Sequence, residues 1–140
     1  MGFDLPKSSA EAIPLVDVIR QATSEPLAAH AATIRCEQDI DPGILVRDVP
    51  EQVGELVRIL VRQALQEMPA GGELTLTAWS DGERVELEIA DTGRPIAERP
   101  HCLPLVAAVV GAEMCWQDCP QGGAAVTIFF GRRLAQHSAA

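Results

Sequence analysis

Positive charge is scarce in this chain. Only 11 of its 140 residues are Lys or Arg, against 20 Asp or Glu, for a formal charge of −9. Such a field repels phosphate backbones and anionic lipid headgroups, which argues against nucleic acid and membrane surfaces as partners. Long apolar runs are missing as well, and none approaches the ~20 residues that a spanning helix needs. The opening Met1-Gly2-Phe3-Asp4-Leu5-Pro6-Lys7 lacks the basic-then-apolar order of a secretory signal, so a cytoplasmic location is expected. The four cysteines, Cys36, Cys102, Cys115 and Cys119, are too sparse for a disulfide scaffold and are expected to be reduced, mostly buried thiols. Cys115 and Cys119 sit close together, but no second Cys or His pair stands at zinc-finger spacing, and no metal site is expected. Asparagine and tyrosine are absent altogether, and the first absence matters below.

What remains is enough for one folded domain. Hydrophobic residues make up 47% and charged residues 22% of the chain, so apolar burial can offset chain entropy. Residues 13–29 carry Leu15, Val16, Val18, Ile19, Ala22 and Leu27 on an approximate helical stripe, with an interruption expected at Pro26. Residues 33–38 alternate as a half-buried strand, and Ile44-Leu45-Val46 follows the turn at Asp41-Pro42-Gly43 as a second. Asp48, Pro50 and Glu51 have the layout of a helix start, with Asp48 as the capping carboxylate. In the long helix that follows, Val53, Leu56, Val57, Leu60, Val61, Ala64, Leu65 and Met68 form the core face, while Glu55, Arg58, Arg62, Gln66 and Glu67 form the polar face.

The second half of the chain reads as two hairpins around a loop. Residues 73–79 and 85–89 alternate about Asp81-Gly82, which predicts a hairpin with a tight turn. Residues 91–101 read as a loop, and residues 103–110 as a short buried helix ending at Gly111. Residues 113–118 and 124–130 are two more strands. This order predicts an α+β fold: a two-layer α/β sandwich with a mixed, mostly antiparallel sheet and about three helices on one face. Residues 1–12 are expected to be an N-terminal extension, 13–131 the domain, and 132–140 a flexible tail.

This order of elements, with three local stretches, resembles the ATP-binding catalytic domain of sensor histidine kinases, a member of the Bergerat-fold ATPases. The stretches are the helix from Glu51-Gln52-Val53 to Gln63-Ala64, the run Pro69-Ala70-Gly71-Gly72 with Asp91-Thr92-Gly93-Arg94-Pro95-Ile96, and Leu103 to Val110 with the closing hairpin and Gly122-Gly123. The resemblance implies that Asp91 stands where the family accepts the adenine amino group, that Gly93 permits close backbone approach, and that Gln63 replaces the asparagine that holds Mg²⁺. The earlier asparagine place is Ile59. The second glycine of the Asp91 box is Pro95, the lid is cut to residues 97–102, its end glycines match Cys102 and Pro104, and a family threonine is Ala124.

With its core kept and its ligands changed, the chain is expected to be a noncatalytic pseudo-ATPase module of bacterial two-component signalling with no cofactor. It would dock a response-regulator receiver or a histidine kinase or phosphotransferase through Arg58, Arg62, Arg94 and Arg99. The bland readings stand beside these. Asp91 could simply cap the turn at Gly93, Gln63 could be an ordinary helix-surface amide, and Arg58 and Arg62 could belong to a solvated face balanced by Glu55 and Glu67. An alternative function is a residual ATP- and Mg²⁺-binding kinase acting in trans, of histidine-kinase or anti-sigma serine-kinase type; another is a homodimerisation domain. His30, His101 and His137 lack the helical context of a phosphoacceptor.

Overall fold

The computed structural model describes residues 12–47, 49–100 and 102–131. The expected cap Asp48, His101, the tail from residue 132 and nearly all of the N-terminal extension lie outside them.

The chain builds one five-stranded sheet with helices packed on one face. In chain order the elements are β1 (Ile13–Pro14), α1 (Leu15–Ala29), β2 (Ile34–Ile40), β3 (Leu45–Val46), α2 (Pro50–Gln66), β4 (Gly72–Ser80), β5 (Val85–Asp91), a 3₁₀ turn (Ile96–Glu98), α3 (Val106–Val109), β6 (Glu113–Asp118) and β7 (Ala124–Phe130). Strands are ordered β2-β4-β5-β7-β6, and β1 and β3 form a separate two-stranded ribbon. Among the described residues only β2 and β4 run parallel, from Ile34 opposite Gly72 to Ile40 opposite Ala78, and α2 lies in the connection between them. The remaining pairs are antiparallel, which is the mixed, mostly antiparallel α+β sandwich that the alternation and helix periodicity predict.

Burial follows the two periodicities. Leu74, Leu76 and Ala78 on β4, Val85, Leu87 and Ile89 on β5, and Val126, Ile128 and Phe130 on β7 point inward and meet Leu15 and Ile19 of α1 and Leu56, Leu60 and Val61 of α2. The intervening residues of β4 and β5, among them Thr75, Thr77 and Glu88, lie on the more exposed face.

Several local expectations need correction. The helix of residues 13–29 gives its first two positions to β1, and α1 runs unbroken through Pro26. That proline lies in the last turn and is buried, while the hydroxyls of Thr23 and Ser24 donate to the carbonyls of Arg20 and Gln21 at 3.1 and 3.2 Å. The residue flanking α2 is Val49, in the left-handed region at φ 50°, so Pro50 begins the helix and Glu51 is its second residue. The turn at Asp81 is a four-residue loop, because Ser80 pairs with Val85. Asp81 holds it by accepting from the amides of Glu83 and Arg84 at 2.9 Å each, which also lowers its pKa. The cysteines are free but not mostly buried, with Cys102 and Cys115 exposed and Cys36 and Cys119 half-buried. Burial pushes the Cys36 and Cys119 thiols up.

The largest departure is residues 103–110. The helix there is only Val106–Val109, and of it Ala107 alone is buried. Leu103, Leu105 and Val109 are 69%, 91% and 57% exposed. A four-residue helix offers no full stripe to the core, so its apolar side chains divide between the interior and the surface. No helix among the described residues is long and apolar enough to cross a membrane.

Candidate functional site

Asp91 is the last residue of β5, paired with Leu74 on one side and Ala124 on the other. Its side chain is 3% exposed. An anion at that depth needs partners, and three donors surround it. The amide of Gly93 donates to Oδ1 at 2.8 Å, closing the turn that ends the strand. Two nitrogens of Arg99 take both oxygens, Nη1 to Oδ2 at 2.9 Å and Nη2 to Oδ1 at 2.5 Å, a bidentate pair with the arginine side chain 11% exposed. The hydrogen bonds to Asp91 hold the Arg99 guanidinium above its already high pKa, so it stays charged at any ordinary pH.

The loop that delivers Arg99 is tied down along its length. Arg99 Nε donates to the carbonyl of Arg94 at 2.7 Å, Arg94 Nε donates to Glu67 at 2.7 Å, and the amide of Ile96 donates to Asp118 of β6 at 2.8 Å. Glu67 ends α2 and is buried. Gly93 lies so close to it that a Cβ there would stand 2.5 Å from the Glu67 carbonyl oxygen. The narrow approach that Gly93 permits is therefore between this loop and the end of α2. Gly123, at φ 89°, makes a similar approach to the backbone of Asp91 from the last hairpin.

Asp91 and Arg99 line a cavity of about 540 Å³ between α2 and the sheet. Its walls include Leu60, Ala64, Ile89, Trp116 and Val126, with Gln63 and Glu67 from α2 and its end and Cys102 and Leu103 from the loop before α3. Thus the cavity brings together Asp91 and Gln63 from the expected site, with Ala124 directly opposite Asp91 in the strand register.

The expected arginine contacts divide differently. Arg99 is turned inward onto Asp91 and offers no outward surface, because the buried carboxylate is the stronger partner. Arg94 pairs with Glu67, Arg58 with Glu55 one turn earlier, and Arg62 with Glu25 of α1 at 3.1 Å. Glu67 therefore does not balance Arg58 and Arg62 on a solvated face as expected. It belongs to the cavity, and the signal was in its spacing: seven residues after Leu60 and three after Ala64, it falls on the core stripe. Among the histidines, His30 lies at the end of α1 with Nε2 2.9 Å from the Met68 carbonyl, the geometry of a capping donor.

No protein-family model matches the chain. The sensor protein DivL of Caulobacter vibrioides is 31% identical over 70 residues, half of this chain, which spans 9% of DivL's length. The mycobacterial sensor histidine kinase MprB superposes with a TM-score of 0.73 at 18% identity, over 89% of this chain and 99% of that one. The chain has the fold of a histidine-kinase catalytic domain. The same fold is found in the histidine kinase ThkA in complex with the response regulator TrrA, at a TM-score of 0.69 and 14% identity, over 87% of this chain and 41% of ThkA. At such identities the likeness is one of architecture. Within that histidine-kinase fold, the cavity by Asp91 lies between the long helix and the sheet, and its polar end is filled by the protein's own arginine.

Proposed function

We propose that this domain is a noncatalytic pseudo-ATPase module of bacterial signal transduction that binds a response regulator or a kinase partner. The observation that carries the reading is the bidentate Arg99 clamp on the buried Asp91 carboxylate. An adenine amino group would need that oxygen, and the residues present do not fit the nucleotide. Gln63 and Ile59 stand in the asparagine places, and a site for hard, octahedral Mg²⁺ tolerates a displaced amide poorly. Where the resemblance implies a glycine-rich phosphate cradle, residues 95–100 form one 3₁₀ turn between Pro95 and Pro100.

A role in protein contact is supported by the exposed Leu103, Leu105 and Val109, of which Leu103 also lines the cavity. ThkA, which shares the fold, forms a complex with a response regulator. Because Arg58, Arg62 and Arg94 already pair with acids of this chain, the apolar group rather than a basic patch is the primary contact. Charge reversal at Arg58 and Arg62 is then expected to weaken partner binding less than Leu105→Glu does in a pull-down against candidate receivers.

Thermal unfolding with and without millimolar Mg-ATP tests the nucleotide half. A ligand at a hundred times its Kd stabilises by about 2.7 kcal/mol, several degrees for a domain of this size. No shift is expected. The cavity's persistence favours the alternative of a residual ATP-binding kinase acting in trans, and an upward shift that disappears in Asp91→Asn would establish that reading instead.

A further inference from the structure

The polar end of the cavity already has an occupant. A carboxylate at the end of a largely apolar wall is costly unless its charge is matched, and the match that costs least is a flat group presenting two N–H donors side by side. Arg99 supplies such a fork, in bidentate contact with Asp91, from a loop anchored by Arg94 on Glu67 and by Ile96 on Asp118. The walls beyond the fork are Leu60, Ala64, Ile89, Trp116 and Val126, apolar surface with room for about 540 Å³ of ligand. A guanidinium on its own loop competes at an effective concentration of roughly millimolar, so a free ligand of the same shape must displace it before it can bind.

We propose that Arg99 is a tethered ligand and the specificity-determining residue of this cavity, occupying a polar end whose chemistry fits a flat head of two N–H donors on an apolar body. The inference deepens the proposed function, since it names the group that occupies the cavity's polar end, and it rests on that reading only in taking that end as occupied in the native chain. Ligands of this class are amidinium and guanidinium compounds with an aromatic body. Anions and single-point ammonium groups do not match both oxygens of Asp91.

Benzamidine and benzylamine are suitable probes, titrated calorimetrically into the full chain, Arg99→Ala, and the double variant Asp91→Asn/Arg99→Ala. Arg99→Ala is expected to bind benzamidine at least tenfold more tightly than the native chain. Benzylamine, with the same ring and no fork, shows no comparable gain, and the double variant loses the gain. Equal affinity of native and Arg99→Ala protein for benzamidine would overturn the proposal, as would a gain that persists in the double variant. Should Arg99→Ala fail to fold, Arg99→Gln, which keeps one donor toward Asp91, takes its place with the same criteria. Mg-ATP binding by the native chain bears on the proposed function alone, whereas the ratio between variants for benzamidine bears on the tether alone.

Discussion

Two parts of this domain are held together in different ways. Around α1, α2 and the inner sheet face, residues such as Leu15, Leu56, Leu76, Leu87 and Ile128 are fully buried in apolar contact. Beyond the end of β5 at Asp91, the described residues up to Gly111 form only a 3₁₀ turn and a four-residue helix, and the first part, residues 91–99, is held by polar contacts: Gly93 to Asp91, Arg94 to Glu67, Ile96 to Asp118, Arg99 to Asp91. Apolar packing is non-directional and survives many substitutions of similar size. A polar network depends on particular atoms and is rewired when one partner changes. A scaffold of the first kind can therefore persist while a site of the second kind acquires new partners.

The contrast is sharpest under substitution. Leu76→Ala removes a fully buried side chain from the centre of the sheet and is expected to cost about 3–4 kcal/mol by urea denaturation, with an unchanged slope. Arg99→Ala leaves the Asp91 carboxylate buried and unmatched and is expected to cost about 3 kcal/mol, nearly as much for a group outside the core. The two differ in their rescue. Replacing both Asp91 and Arg99 by apolar residues of similar volume is expected to recover most of the Arg99→Ala loss, whereas a second truncation beside Leu76 adds to the first. Failure of the apolar pair to recover stability would mean that the network, and not the single buried charge, holds the loop.

Gly93→Ala probes the join between the two parts. A methyl at this position meets the Glu67 carbonyl and Cβ at 2.5 and 2.6 Å, and backbone at both sides leaves little room to yield. An overpacking loss of about 1–3 kcal/mol is expected. Because the clash lies between the loop and the end of α2, the variant should also loosen the Arg94–Glu67 pair, seen as faster amide exchange over residues 93–99 than over α2.

The two parts were unequally legible in the sequence. Sheet and helices followed from spacing: the strands 113–118 and 124–130 fall where the alternation puts them, and the core face of α2 is the one its heptad-like positions name. Asp91 and Gln63 are placed at one site by the resemblance to the histidine-kinase ATP-binding domain, and both line the same cavity. The partner of Asp91 is not. Arg99 is eight residues away in a loop with no period, and only the fold of residues 92–98 turns its guanidinium inward. Residues 103–110 misled for the opposite reason: an apolar composition usually means burial, but Pro104 and a helix of one turn leave Leu103, Leu105 and Val109 facing outward.

That exposed group supplies the smallest expected change in stability and so the cleanest separation of the two parts. Leu105 is 91% exposed, and its side chain gains little from the folded state. Leu105→Ser should shift stability by no more than about 0.5 kcal/mol, within the range of ordinary surface substitutions. If the side chain is a contact for a partner, the same substitution should weaken the complex by tenfold or more, since an apolar anchor in a desolvated contact contributes far more to binding than to the free domain's folding. A loss of stability well above that range would instead place Leu105 in the domain's own packing, and would join the loop to the core that it otherwise contrasts with.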